Sequence, residues 1–450
     1  MNKVAACTLC IVALGLIHFT YPEEAAKILP YPIHQYDLAN GLNVVTVPFE
    51  SPGIAAFYIV VRAGSRDETE PGKSGFAHFF EHMMFRGTEK YPNEKYQEVL
   101  KGIGASANAN TSNDRTVYHM TGNAEMLDTM FELESDRFMN LHYSIQDFKT
   151  EAGAVKGEYT KNFASPYMQL YEKTRSTAFT DHTYSHTTMG FFEDIVDMPN
   201  QYDYSLQFFD RFYRPEHCTI LVVGDVSPEK VNALAEKYFG SWKKGGYQSR
   251  VTPETPQTET RFAHVQVPNF PPFLDLSFKA PAFSDTAIDM PALDILSAVL
   301  FSEKSDLYKK LVLTERKVRF LNGGAPDSKD PYLFTIQASV VDAADLQYVK
   351  DEIMNAIAKA KKEPVDEEEL AVTLSHMKYS FAMRIDSPDA IAATLANYIW
   401  ITGDPESLNR TYANYEKVKP QDLMMVANKY VNDTQLTIST ISPNETGGVK

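Results

Sequence analysis

His78, Glu81 and His82 stand at spacings that place two imidazoles and a carboxylate on one turn of helix, within the run Gly75-Phe76-Ala77-His78-Phe79-Phe80-Glu81-His82-Met83-Met84-Phe85. Side chains four apart on a helix project from the same face at neighbouring heights, so both rings can approach one ion. Zinc takes neutral imidazole nitrogen and carboxylate oxygen in a tetrahedral shell, and a catalytic site keeps one of the four positions open. Two protein ligands fall short of that set, so a third must come from elsewhere in the chain. The order His-x-x-Glu-His reverses the commoner His-Glu-x-x-His and leaves the carboxylate free to take a proton from water activated by the metal. The alternative, a core helix whose histidines are merely hydrogen-bonded, suits a lone His better than three matched residues in register. Asp114, Glu125, Glu132, Glu134, Asp136, Glu151 and Glu158 are all candidates for the third ligand, and spacing alone does not choose among them. A second pair, His182 and His186, has the same separation, but Thr183-Tyr184-Ser185 and Thr187-Thr188 around it read as loop, and no metal is assigned to it.

The elements that must position these residues belong to a chain of 450 residues with 44% hydrophobic content, enough for two or more cores. The formal net charge of −16 argues against a nucleic-acid partner and for a self-repelling, soluble surface. Met1-Asn2-Lys3 followed by the apolar run Val4 to Phe19 has the basic start and hydrophobic stretch of a secretory signal. Residues 1–22 are therefore expected to be a signal peptide or, if uncleaved, an N-terminal anchor, which makes the protein periplasmic or secreted and membrane-attached only in the uncleaved case. Cys7 and Cys10 fall in that run, so its removal leaves Cys218 without an internal disulfide partner.

Beyond it the chain reads as two similar halves. In the first, a turn at Asn40-Gly41 and an apolar strand from Ala55 to Val61 lead through Arg62-Ala63-Gly64-Ser65-Arg66-Asp67 to the helix with the His/Glu motif. In the second, a strand from Leu274 to Phe278 leads through Lys279-Ala280-Pro281 to a helical run from Ala292 to Leu300. Each half ends alike, on Thr219-Ile220-Leu221-Val222-Val223 before Ser227-Pro228 and on Leu436-Thr437-Ile438-Ser439-Thr440 before Ser442-Pro443. The offsets of about 215 residues mark a duplication. Gly245, Gly246, Pro253 and Pro256 mark a linker. The expected division is an N-terminal catalytic half over 30–243, a linker over 244–260 and a C-terminal homologous half without the motif over 261–446. Alternating strands and amphipathic helices such as Asp366 to Arg384 give the class: α+β, two homologous α/β-sandwich halves, each a mostly antiparallel sheet with helices packed on it.

The segment Gly75 to Thr88, GFAHFFEHMMFRGT, resembles the active-site helix of the pitrilysin/insulinase family of zinc peptidases, and the mature chain as a whole resembles its processing-peptidase branch. Gly104-Ala105-Ser106-Ala107-Asn108-Ala109-Asn110-Thr111, His182-Thr183-Tyr184 leading to Gly190, and Tyr213-Arg214-Pro215 running to Gly224-Asp225 carry the resemblance further. It implies one Zn2+ per chain, held by His78, His82 and Glu158, since the family's third ligand is a glutamate about 75 residues beyond the second histidine. It also implies Glu81 as the catalytic base and Glu151, two helical turns before Glu158, as a support for a ligand histidine. By the same resemblance Asn108 and Ala109 lie at an edge strand to which an extended peptide substrate adds, although Asn108 read by itself could equally be a turn residue satisfying local backbone.

One departure bears on function. Self-sufficient members of the family carry in the second half an Arg and a Tyr seven residues apart that bind substrate and the tetrahedral oxyanion; Val312 and Arg319 occupy those places here. Valine cannot donate a hydrogen bond, and a donor aimed at an oxyanion is worth on the order of 3 kcal/mol. The expectation is a zinc metalloendopeptidase subunit that hydrolyses extended peptides while a homologous, non-zinc partner supplies the Arg/Tyr pair. The alternatives are a non-catalytic structural or assembly subunit and a peptide-binding protein that retains zinc.

Overall fold

The computed structural model of the protein describes residues 27–449, so the signal or anchor expected over residues 1–22 lies outside the described residues. Continuous apolar runs form the central strands of two sheets, and the α+β class is borne out. The first sheet comprises β1 (His34–Asp37), β2 (Asn43–Pro48), β3 (Ile54–Val61), β4 (Ser106–Thr111), β5 (Thr116–Asn123) and β6 (Cys218–Gly224), in the order β1-β2-β6-β3-β5-β4. The second comprises β7 (Arg261–Gln266), β8 (Phe273–Lys279), β9 (Val318–Gly324), β10 (Leu333–Val340) and β11 (Leu436–Ser442), in the order β7-β11-β8-β10-β9. Apart from β1 the two orders correspond strand for strand, down to the single parallel pair in each, β2 with β6 and β7 with β11. Residues 244–260 between the sheets form no helix or strand, yet they are not loose: Glu254 accepts the N–H groups of Thr180, Asp181 and His182 at 3.0–3.1 Å.

Strand β3 is buried on both faces, and its alternation separates two cores. Phe57, Ile59 and Val61 face the cluster that holds Phe76, Phe79, Phe80 and Phe148. Ala56, Tyr58 and Val60 face the opposite way, against Ile391, Leu395, Ile399 and Trp400 of the helix Pro388–Thr402, which the second half contributes. The exchange is reciprocal: the helix Pro166–Ala178 of the first half packs on β7 and β11, with Leu170 buried against Phe273 and Ile441. Each sheet is thus covered on one face by helices of its own half and on the other by a helix of its counterpart. A polar seam adds to this, where Asp330 of the second half accepts from Arg66 at 2.5 Å and lies 2.9 Å from His182 Nε2.

Candidate metal centre

The motif residues lie on a short helix, Phe76–Met83, whose sequence fixes its inner face: Phe76, Ala77, Phe79, Phe80 and Met83 are buried, His78 is buried with them, and Glu81 and His82 are half-buried on the remaining stripe. Its N-cap, Gly75, has φ of 89°, and a Cβ there would meet Ile195 Cδ1 at 2.4 Å and the Met189 carbonyl oxygen at 2.9 Å. Glycine is required at this position for both reasons. Without a capping side chain at Gly75, the first-turn donors are satisfied by Glu68, whose carboxylate accepts the N–H groups of Gly75 and Ala77, both at 2.7 Å. Burial pushes the Glu68 carboxyl up to about 8. At the other end, the Tyr118 hydroxyl donates to the Phe80 carbonyl at 3.0 Å.

A second helix, Ile145–Phe163, opens on a reciprocal cap between Ser144 and Asp147 and buries Phe148, Ala152, Val155 and Tyr159. It brings Glu151 and Glu158, seven residues apart, alongside the motif helix. Glu158 Oε2 lies 3.3 Å from His82 Nε2 and 3.7 Å from His78 Nε2. His78, His82 and Glu158 offer ligand atoms that all fall within 4.8 Å of one another, the only such group of three or more among the described residues. Of the seven acidic candidates in the sequence, the fold brings Glu158 and Glu151 to the histidines; Glu134 and Asp136 are instead consumed by Arg137 and Thr88.

Glu151 Oε1 lies 3.0 Å from His82 Nδ1, and its other oxygen pairs with Arg86. Burial would raise the Glu151 carboxyl, but the hydrogen bonds from His82 and Arg86 outweigh it and hold the group below the usual carboxylate range. An ionised carboxylate only accepts, so the proton of this contact sits on His82 Nδ1. The neutral ring then turns a lone pair on Nε2 toward the Glu158 oxygen, and two acceptors face each other until a proton or a metal ion lies between them. The hydrogen bond to Glu151 accordingly draws the His82 pKa up, while burial and then the neighbouring His82 draw that of His78 down. The residues fit zinc: two imidazole nitrogens and one carboxylate oxygen are its donors, and ligands at about 2.0–2.1 Å in a tetrahedral shell stand about 3.3 Å apart.

Glu81 and His82 open on a cavity of about 340 Å³ that also meets Phe85, Arg86, Asn108 and Glu151. Asn108 sits in β4, at the edge of its sheet, and not in a turn; its Oδ1 accepts the N–H of the adjacent Ala109, which is buried, at 2.9 Å. A larger cavity, about 780 Å³, lies against β7 and is lined by Tyr159 and His186 but by none of the three ligand candidates. His182 and His186 flank a single 3₁₀ turn; His182 turns to Asp330 and His186 Nδ1 donates to the Thr187 carbonyl at 2.9 Å.

Sequence reasoning passed over Arg86, which shares the face of His78 and His82 at the next i+4 step and was legible on that spacing. It also passed over Glu68, which no local signal marks. Val312 falls in a π-helical turn, Lys309–Thr314, and packs against the core of the second half, whereas Arg319 is exposed on β9. Arg316, between them, holds φ of 57°.

The Insulinase (Peptidase family M16) model matches residues 44–190 of this chain, and the Peptidase M16 inactive domain model matches residues 201–376. The zinc protease PqqE of Helicobacter pylori is 31% identical over 413 residues, spanning 90% of this chain and 92% of the relative. The mitochondrial-processing peptidase subunit beta of Caenorhabditis elegans is 30% identical over 221 residues, 48% of this chain and 47% of its own length. Among solved structures, a protease from Helicobacter pylori superposes with a TM-score of 0.85 at 29% identity, covering 92% of this chain and all of that one. The periplasmic protease PqqL from Escherichia coli shares the fold, at a TM-score of 0.76 and 18% identity, over 93% of this chain and 48% of that one. The resemblance carried by Gly75 to Thr88 is thereby borne out.

Proposed function

We propose that this chain, which belongs to the insulinase (M16) family of peptidases, is a zinc metalloendopeptidase subunit that hydrolyses extended peptides. The observation that carries the reading is the convergence of His78, His82 and Glu158, with Glu81 beside the two histidines on their helix. His78, His82 and Glu158 would hold one zinc ion, with Glu151 and Arg86 fixing the orientation of His82. When bound, zinc supplies Lewis acidity, which acidifies water and polarises the scissile carbonyl. Glu81 takes the proton from the attacking water on its carboxylate and returns it to the leaving amine. Asn108 and Ala109, on the edge of the first sheet, would align the peptide by main-chain hydrogen bonds.

The pairing with a homologous, non-zinc subunit rests on Val312 and Arg319: an apolar side chain engaged in the core and an exposed cation stand where an Arg/Tyr pair would serve the oxyanion. Export to the periplasm or exterior rests on the apolar run near Met1, and among the described residues no helix is long and apolar enough to cross a membrane.

The test is cleavage of a mixed peptide library by the zinc-loaded mature chain, alone and with a homologous chain carrying Arg and Tyr at the matched positions. Activity confined to the mixture and lost with Glu81→Gln supports the whole reading. Activity of the chain alone removes the partner from it. Zinc bound without cleavage in either case favours the peptide-binding alternative, and absence of zinc favours the structural one.

A further inference from the structure

The edge strand β4 does not end at the metal centre. Asn108 lines the metal-centre cavity, and Asn110, on the same face about 7 Å further along, accepts a hydrogen bond from the Arg115 guanidinium. Arg115 lies in the hairpin that follows and opens on a separate cavity of about 390 Å³ between the two halves. The second half contributes Arg384, Asn397 and Asp327 to its walls. Arg115 is 3.4 Å from Asn397 Oδ1, and Arg384 donates through Nε to the Ser380 carbonyl at 3.2 Å. Neither guanidinium has an ion-pair partner among the described residues, and Asp327, the one carboxylate in the cavity wall, pairs with neither.

Two guanidiniums from different halves thus converge on one space with unused donors. Burial pushes Arg115 down, an effect that the Glu81 and Asp114 carboxylates partly offset. Arg115 is half-buried and Arg384 exposed, and an anion entering the cavity would gain charge-assisted hydrogen bonds from both.

We propose that the cavity between Arg115 and Arg384 is a substrate subsite that selects peptides carrying an Asp or Glu side chain about two to three residues from the scissile bond. The assignment rests on the peptidase reading above. An extended peptide advances about 3.3 Å per residue, so the residue two places from the one opposite Asn108 lies opposite Asn110, whose side chain meets Arg115, and antiparallel addition to β4 places that residue on the N-terminal side of the cleaved bond.

The experiment is binding, by fluorescence anisotropy, of fluorescein-labelled alanine-rich peptides in which one Glu is stepped along the sequence, each with a Gln counterpart, to the zinc-loaded full chain carrying Glu81→Gln. The expected result is a preference of about tenfold for Glu over Gln at one position, falling to within about twofold when Arg384→Gln is added. Arg384 is exposed, so this variant is compatible with folding. Equal binding of Glu and Gln peptides overturns the subsite and leaves the peptidase reading standing. A preference that survives Arg384→Gln overturns its assignment to this cavity, and failure of every peptide to bind overturns the reading on which it rests.

Discussion

Glu151 accepts a hydrogen bond from His82 Nδ1–H at 3.0 Å and thereby aims the opposite ring nitrogen at Glu158, 3.3 Å away. In the proposed zinc site, a carboxylate that is not itself a ligand would decide which nitrogen of His82 faces the ion. Replacing it by Glu151→Ala removes that constraint and leaves Arg86 unpaired, and zinc affinity should fall by about 10–100-fold. Competition with a chromophoric chelator measures this; an unchanged affinity would show that helix packing alone orients His82.

Glu81 is separable from the ligands. In Glu81→Gln zinc content should remain at one ion per chain while peptide cleavage falls by about 10²–10⁴. Glu158→Gln should lose the metal itself, as read by elemental analysis after dialysis.

The cap of the motif helix leaves no room for a side chain. Gly75→Ala combines an unfavourable φ with contacts at 2.4 and 2.9 Å, and should destabilise the fold by at least about 2 kcal/mol, with weakened zinc binding following from displacement of His78. Denaturant unfolding of the metal-free protein checks the first part, and a loss below 1 kcal/mol would mean that the Ile195 side chain yields.

Acid should act through His186. Burial pulls its pKa down to about 4 from 6.5, so below pH 6.5 the unfolded chain binds a proton that the folded one refuses. Stability from this residue is therefore complete above pH 6.5 and lost as pH falls to about 4, a change of roughly 3 kcal/mol. Thermal unfolding of the protein and of His186→Gln across that window should show a shallower decline in the variant; parallel curves would place the acid sensitivity elsewhere.

The exchanged helices should make unfolding a single event. Leu395 is fully buried, and it belongs to the second half yet packs on the first sheet. Leu395→Ala should cost about 2–5 kcal/mol and lower hydrogen-exchange protection in both sheets together. Loss confined to β7–β11 would show the halves to be energetically independent.

Sequence alone delivered the parts whose signal is local. The i, i+4 spacing of His78 and His82 gave the motif helix, and unbroken apolar runs gave the cores of β3, β6, β8 and β11 to within a residue or two at each end. Glu158, the proposed third ligand, is not marked locally: helical period places Glu151 and Glu158 on one face, but only tertiary packing brings that face to His82, and it is the family resemblance, not spacing, that singles Glu158 out. The helix Pro388–Thr402 shows the same limit. Ile391, Leu395, Ile399 and Trp400 announce burial, yet nothing in their pattern says that the buried face belongs to the other half's sheet. The π-helical turn around Val312 also left no trace, since it differs from an α-helix by one residue in hydrogen-bond register.

The crossed helices carry a historical implication. A chain of half this length, with one sheet and one outlying helix, could cover its sheet only by lending that helix to a second copy and borrowing the other's in return. Duplication and fusion would then have turned a contact between two molecules into one within a single polypeptide, after which the copies were free to diverge, one keeping the histidines and the other releasing that position to Asp289–Phe301, a helix devoted to packing.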